Sequence, residues 1–154
     1  MGSYNWMEWF KTKMKIIFVG SNPSWASKVS KAFDLSTCSG RTLMGWTHQI
    51  GGHNLYRYAN VVDKPTPNNR PLKASEIKDN IPQLKIWLEK YEGDKIVALG
   101  KTAAKALTLL RLPFYDMPHP SGLNRLLNDP EYVAQKLKGL KEFLLSPDKD
   151  LIKD

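Results

Sequence analysis

The stretch Ile16-Ile17-Phe18-Val19-Gly20-Ser21-Asn22-Pro23-Ser24 decides the fold. Its first four residues are β-branched or aromatic, with no polar residue between them. That pattern reads as a short strand buried on both faces. Gly20 ends the strand, and Asn22 before Pro23 reads as a turn. Strands of this kind belong to parallel sheets covered by helices on both sides.

The rest of the chain repeats the pattern. Trp25, Val29 and Phe33 are spaced for a short helix or turn, and Ser36 to Gly40 reads as a loop. Thr42 to Ile50 reads as a helix stopped by Gly51-Gly52. Leu55 to Val62 reads as a second strand, followed by a loop from Lys64 to Pro71 rich in proline and asparagine. Ile77, Ile81, Leu84, Trp87 and Leu88 mark an amphipathic helix over Ala74 to Tyr91, with a break expected near Pro82. Lys95 to Leu99 reads as a third buried strand. Gly100-Lys101-Thr102 opens a helix over Ala103 to about Leu110, with Thr102 as its N-cap. Pro113 to Met117 reads as a short fourth strand, and a last helix starts at Asp129 or Pro130 and runs through Phe143-Leu144. This alternation predicts an α/β, three-layer sandwich around a central, mostly parallel four-stranded sheet.

Composition narrows the class. A chain of 154 residues, 42% hydrophobic and 25% charged, suits one domain with one core. No run of about 18 apolar residues occurs, so no membrane span is expected. Residues 1–13 contain aromatics but no signal-peptide pattern, and Met14 is a plausible natural start. The expected organisation is an N-terminal extension over 1–13, a domain over 14–145 and a charged tail over 146–154. The single cysteine, Cys38, excludes an internal disulfide and any four-cysteine zinc or iron–sulfur site. His48, His53 and His119 lack ligand-like spacing. A metal-free, cofactor-free protein of the cytoplasm is expected. The net charge of +8 and pI of about 9.5 suit a polyanionic partner such as nucleic acid, and equally suit plain solubility.

In a parallel sheet, ligands bind at the carboxyl ends of the strands. Four loops are expected there: Gly20 to Ser24, Asp63 to Pro71, Gly100 to Thr102, and His119-Pro120-Ser121-Gly122-Leu123-Asn124-Arg125. Asn60 stands out inside the second strand, where asparagine is disfavoured; the plain alternative is a strand-end or edge-strand position. Lys101 and Thr102 open a helix, whose free N–H groups favour anions; simple capping is the alternative.

Taken in order, Gly-Ser-Asn-Pro-Ser, Ala59-Asn60-Val61-Val62, Leu99-Gly100-Lys101-Thr102-Ala103 and His-Pro-Ser-Gly-Leu-Asn-Arg resemble the uracil-DNA glycosylase superfamily. The resemblance runs over roughly Ile16 to Phe143. The first loop is similar to the Gly-x-Asn-Pro loop of the mismatch-specific and single-strand-selective monofunctional branches. The last is a hybrid: the mismatch-specific branch has Asn-Pro-Ser-Gly-Leu-Ser-Arg, and other branches begin with His. The aspartate of the most active branch and the cysteines of the iron–sulfur branches are absent.

The resemblance implies a monofunctional glycosylase that extrudes uracil or a related base from DNA and hydrolyses its N-glycosidic bond. Breaking that bond builds positive charge on the sugar and negative charge on the base. Asn22 would hold the water through its amide oxygen, positioning it more than deprotonating it. His119, if neutral, would donate a hydrogen bond to the anionic base, a contribution of about 3 kcal/mol. Asn60 would read the base edge, and Phe33 would stack on it, with core packing the alternative for Phe33 and Trp25 a rival for the stacking role. Ser24 is small enough to leave room for a 5-substituent. Leu123 would wedge into the base stack, offsetting an unstacking cost of a few kcal/mol. Arg125 would contact the strand opposite. Ser121, Gly122, Asn124, Lys101 and Thr102 complete the expected DNA contacts.

Each of these residues also has an ordinary reading: Asn22 as a turn residue, His119 as a loop histidine, Leu123 as core. Lyase chemistry has no evident lysine beside the first loop, Lys28 excepted. The expected partner is double-stranded DNA with a damaged or mismatched base, or single-stranded DNA, bound by a monomer. Two other readings compete: a base-recognising DNA-binding module that does not cut, and a nucleotide hydrolase. Leu123 and the +8 charge favour a polymer over a free nucleotide.

Overall fold

The computed structural model describes residues 14–23, 37–51, 54–121 and 124–146. Four strands, β1 (Lys15–Gly20), β2 (Leu55–Asn60), β3 (Lys95–Leu99) and β4 (Tyr115–Met117), pair in the order β2-β1-β3-β4. Every pairing is parallel. The described helices are α1 (Cys38–Ile50), α2 (Ala74–Glu89), α3 (Lys101–Leu109) and α4 (Pro130–Leu145), with short 3-10 turns at Pro67–Asn69 and Arg125–Asn128.

The run that announced a two-sided strand behaves as one. Ile17 and Val19 pack with Ile77, Leu84, Leu88 and Leu107 of α2 and α3. Ile16 and Phe18 pack on the opposite face with Leu43, Trp46, Leu137 and Leu140 of α1 and α4. All four β1 residues are at most 1% exposed. Burying such a side chain contributes roughly 1.5–3 kcal/mol, so this strand anchors two half-cores at once. The result is the expected three-layer sandwich, with a fully parallel sheet.

Local chemistry sets the helix ends. The Thr37 hydroxyl accepts from the Gly40 N–H at 3.1 Å, so α1 already begins at Cys38 inside the expected Ser36 to Gly40 loop. Gly51, at φ 147°, ends it. The Asp129 carboxylate accepts from the Glu131 and Tyr132 N–H groups, and Pro130 follows as the first helical residue. The break expected at Pro82 does not occur: α2 runs unbroken to Glu89. Pro82 and Lys78, the residue whose carbonyl loses its helical partner, both lie on the exposed side, where that carbonyl is open to solvent.

The strands are slightly shorter than their apolar runs. β2 stops at Asn60, although the Val61 and Val62 N–H groups still donate to the Gly20 and Ser21 carbonyls. β4 excludes Pro113 and Phe114. Thr102 is not the cap of α3, because the helix begins two residues earlier than expected, at Lys101, with Gly100 at the cap position. Gly100 sits at φ 93°, and a Cβ there would stand 3.0 Å from the His119 Cβ. That position therefore requires glycine on two counts. The helix expected over Trp25 to Phe33 lies outside the described residues, as do residues 1–13 and 147–154.

Candidate active site

Parallel pairing puts the ends of all four strands on one edge, and with them the four loops. The sheet also changes winding direction between β1 and β3. β1 is followed in sequence by β2 on one side, whereas β3 and β4 extend to the other. A crevice opens at such a reversal, outside the carboxyl ends of the strands. The loops starting at Gly20 and Gly100 flank it.

Asn22, half-buried, has a fixed amide. Its Nδ2 donates to the Lys64 carbonyl at 3.2 Å, and its Oδ1 accepts from the Ser21 hydroxyl at 3.1 Å. An amide oxygen has two lone pairs, so one acceptor site remains. The nitrogen contact settles which end of the amide is which: only N–H can face a carbonyl. Asn60 is the register partner of Gly20. It ends an edge strand, and its amide has no hydrogen-bond partner among the described residues.

His119 is fixed by its own loop. The Ser121 N–H donates to Nδ1 at 3.0 Å. A nitrogen that accepts cannot carry the proton, so the ring proton sits on Nε2. Burial lowers the imidazole pKa below its ordinary 6.5, because the interior disfavours the cation. The ring is thus a neutral donor near pH 7, with Nε2–H as its donating edge. The adjoining Gly100 backbone lets the ring pack close.

A cleft of about 500 Å³ opens beside His119, lined among others by Ser21, Lys101, Thr102, His119 and Asn124. Lys101 and Thr102 sit in the first turn of α3, where N–H groups lack intrahelical partners. Asn22 and Asn60 do not line this cleft and instead group at the adjoining β1–β2 edge. Arg125 is exposed at the start of its 3-10 turn, and Ser121 is half-buried. Asn124 is turned inward, as its bonds to His119 and Leu126 show. The expected residues Ser24, Phe33, Gly122 and Leu123, with Trp25 and Lys28, lie outside the described residues.

Three contributors were not singled out in the sequence. The Lys64 carbonyl holds Asn22, and backbone groups carry no residue signature. Tyr132 and Lys136 of α4 also line the cleft; their i,i+4 spacing puts them on one helix face. The loop between β2 and α2 is braced rather than loose. Arg70 bonds both Glu76 oxygens at 3.0 Å, and the Lys73 N–H donates to Glu76 at 2.7 Å. These donors pull the Glu76 pKa down to about 2. The Thr66 hydroxyl donates to the Arg70 carbonyl, and Asn68 and Asn69 turn the tip at positive φ, a conformation asparagine tolerates.

Among the described residues no group of three His, Cys, Asp or Glu side chains could hold a metal ion. No described helix is long and apolar enough to cross a membrane. A fixed amide and a neutral imidazole donor beside a helix N-terminus suit water placement and anion stabilisation. The family model described as the uracil DNA glycosylase superfamily matches residues 7–141. Among curated proteins, none matches the chain significantly.

Proposed function

The chain belongs to the uracil DNA glycosylase superfamily, whose members are in general DNA glycosylases, and from that premise we propose that it is a monofunctional glycosylase nearest the mismatch-specific and single-strand-selective branches. It extrudes uracil or a related deaminated or 5-substituted base from DNA and hydrolyses its N-glycosidic bond, C1′–N1 in a pyrimidine, leaving an abasic site. The observation that carries this reading is the Ser121 N–H bond to His119 Nδ1. It leaves a neutral Nε2–H to donate toward the oxygen of the departing base.

In this mechanism the C1′–N1 electron pair leaves with the base, and His119 stabilises the resulting anion. The free acceptor site of Asn22 holds a water for attack on C1′. An amide is too weak a base to take a proton in the rate-limiting step. The water therefore adds to a sugar that has largely lost its base, and its proton passes to solvent. Asn60 reads the base edge with both ends of its amide, Phe33 stacks on the base, and Ser24 leaves space near C5. Leu123 fills the gap in the stack, Arg125 contacts the opposite strand, and Ser121, Gly122, Lys101 and Thr102 hold phosphates.

Excision is tested with duplexes carrying U:G, U:A, T:G, hydroxymethyluracil or hypoxanthine, and with a single-stranded uracil oligonucleotide. Alkali treatment should give strand breaks at one or more of these bases. Tight binding without breaks on every substrate would replace the glycosylase with a base-recognising binding module. Leu123→Ala should weaken excision from duplexes more than from single strands; an equal effect on both would remove the wedge role.

A further inference from the structure

The His119 loop contains a residue whose bonds run inward rather than toward a ligand. The Asn124 Nδ2 donates to the His119 carbonyl at 2.8 Å. Its Oδ1 accepts from the Leu126 N–H at 3.1 Å, capping the Arg125–Asn128 turn. Its own N–H donates to the Ser121 carbonyl at 3.0 Å. Three bonds from one residue thus close the chain on both sides of Ser121, the residue whose N–H fixes the His119 ring.

From this geometry we infer that Asn124 is a positioning residue for His119. The inference rests on the glycosylase reading for its kinetic consequence, but its geometric content is independent of it. Both polar ends of the Asn124 side chain are engaged within the loop, Oδ1 by the Leu126 N–H and one Nδ2 proton by the His119 carbonyl. The clamp acts on the backbone of His119, and through Ser121 on the ring. Without it, Nδ1 loses its fixed donor and the imidazole is free to carry its proton on either nitrogen. A ring with the proton on Nδ1 presents an acceptor to the departing base and cannot stabilise it.

Asn124→Ser separates the two halves of the clamp. Serine is as good an N-cap as asparagine, so the Leu126 contact survives, while the shorter side chain cannot reach the His119 carbonyl. Single-turnover excision from the best substrate should fall about tenfold, the order expected for losing orientation through one hydrogen bond. Affinity for an abasic-analogue duplex should stay within about twofold. Nitrogen-15 spectra of the imidazole should show one Nε2–H tautomer in the unaltered protein and a tautomer mixture in Asn124→Ser, with His119→Gln identifying the signal.

An unchanged tautomer overturns the inference, whether or not DNA affinity falls. A tenfold loss of affinity with unchanged single-turnover rate would make Asn124 a DNA contact. If the unaltered protein excises no base, the glycosylase reading fails, yet the tautomer comparison still decides whether Asn124 positions His119.

Discussion

Asn22 and His119 sit at the ends of different strands and are secured in opposite ways. Asn22 is held across the fold, by a carbonyl 42 positions away in sequence. His119 is held locally, by bonds spanning two and five positions. The Asn22 side therefore depends on how two strand-end loops meet, whereas the His119 side is held within its own turn. Disturbance of the loop at 64–71 should reach the first and leave the second intact.

The largest effect comes from Asn22. Asn22→Ala should abolish detectable excision while DNA affinity survives; equal loss of both would make Asn22 structural. Asn22→Asp sharpens the comparison. A carboxylate is the better base and would be expected to speed attack. Here, however, one of its oxygens would face the Lys64 carbonyl where an N–H now donates. Two acceptors at that distance repel. Asn22→Asp should therefore be slower than the unaltered protein at pH 7, measured by single-turnover excision. A faster variant would show that the long-range clamp does not control the amide.

His119→Ala comes next, with excision slower by about a hundredfold, the usual cost of one oxyanion donor. The imidazole should also leave a signature in pH, one that His119→Ala lacks. The unaltered rate should be flat from pH 8 to 6.5 and fall below that, because the folded pKa is depressed. Protonation at Nδ1 sets a ring N–H against the Ser121 N–H and opens the turn. Lys101, Lys136 and Asp116 line the same cleft, so the fall is assigned to the imidazole by its absence from the pH profile of His119→Ala. A rate that rises as the pH drops from 6.5 to 5.5 would contradict the neutral-donor role.

The same contrast explains what sequence could reveal. β1 was readable because Ile16 to Val19 are buried on both faces, and burial on both faces suppresses alternation. The His119 loop was readable because its groups lie within a few residues of one another. The Lys64 contact was not, since it is made by a backbone oxygen brought near only by parallel pairing of β1 with β2. Pro82 misled because loss of a helix hydrogen bond is harmful where water cannot replace it, and exposure is a tertiary property. Thr102 misled because a good capping residue was outweighed by the close approach of His119, which only Gly100 permits. Asn124 was grouped with the DNA contacts by position in its motif, while its inward bonds appear only in three dimensions.

The smallest effect tests the brace behind the long-range clamp. Glu76 holds Arg70 through both oxygens, and Arg70 lies in the loop whose other end supplies the Lys64 carbonyl. Glu76→Gln removes the charge and one of the paired acceptors. The side chains are partly solvent-exposed, where ion pairs contribute little, so thermal stability at pH 7 should change slightly. The pKa of Glu76 is depressed to about 2. Its contribution is therefore present above the unfolded value near 4.5 and is lost as pH falls through about 2. The melting temperatures of Glu76→Gln and the unaltered protein should converge over that interval. Excision by Glu76→Gln should slow by a few-fold, and combining it with Asn124→Ser should multiply the two losses, as expected for sites without shared partners. Less-than-multiplicative losses would mean that the two loops share a support, and that the division into a long-range half and a local half is wrong.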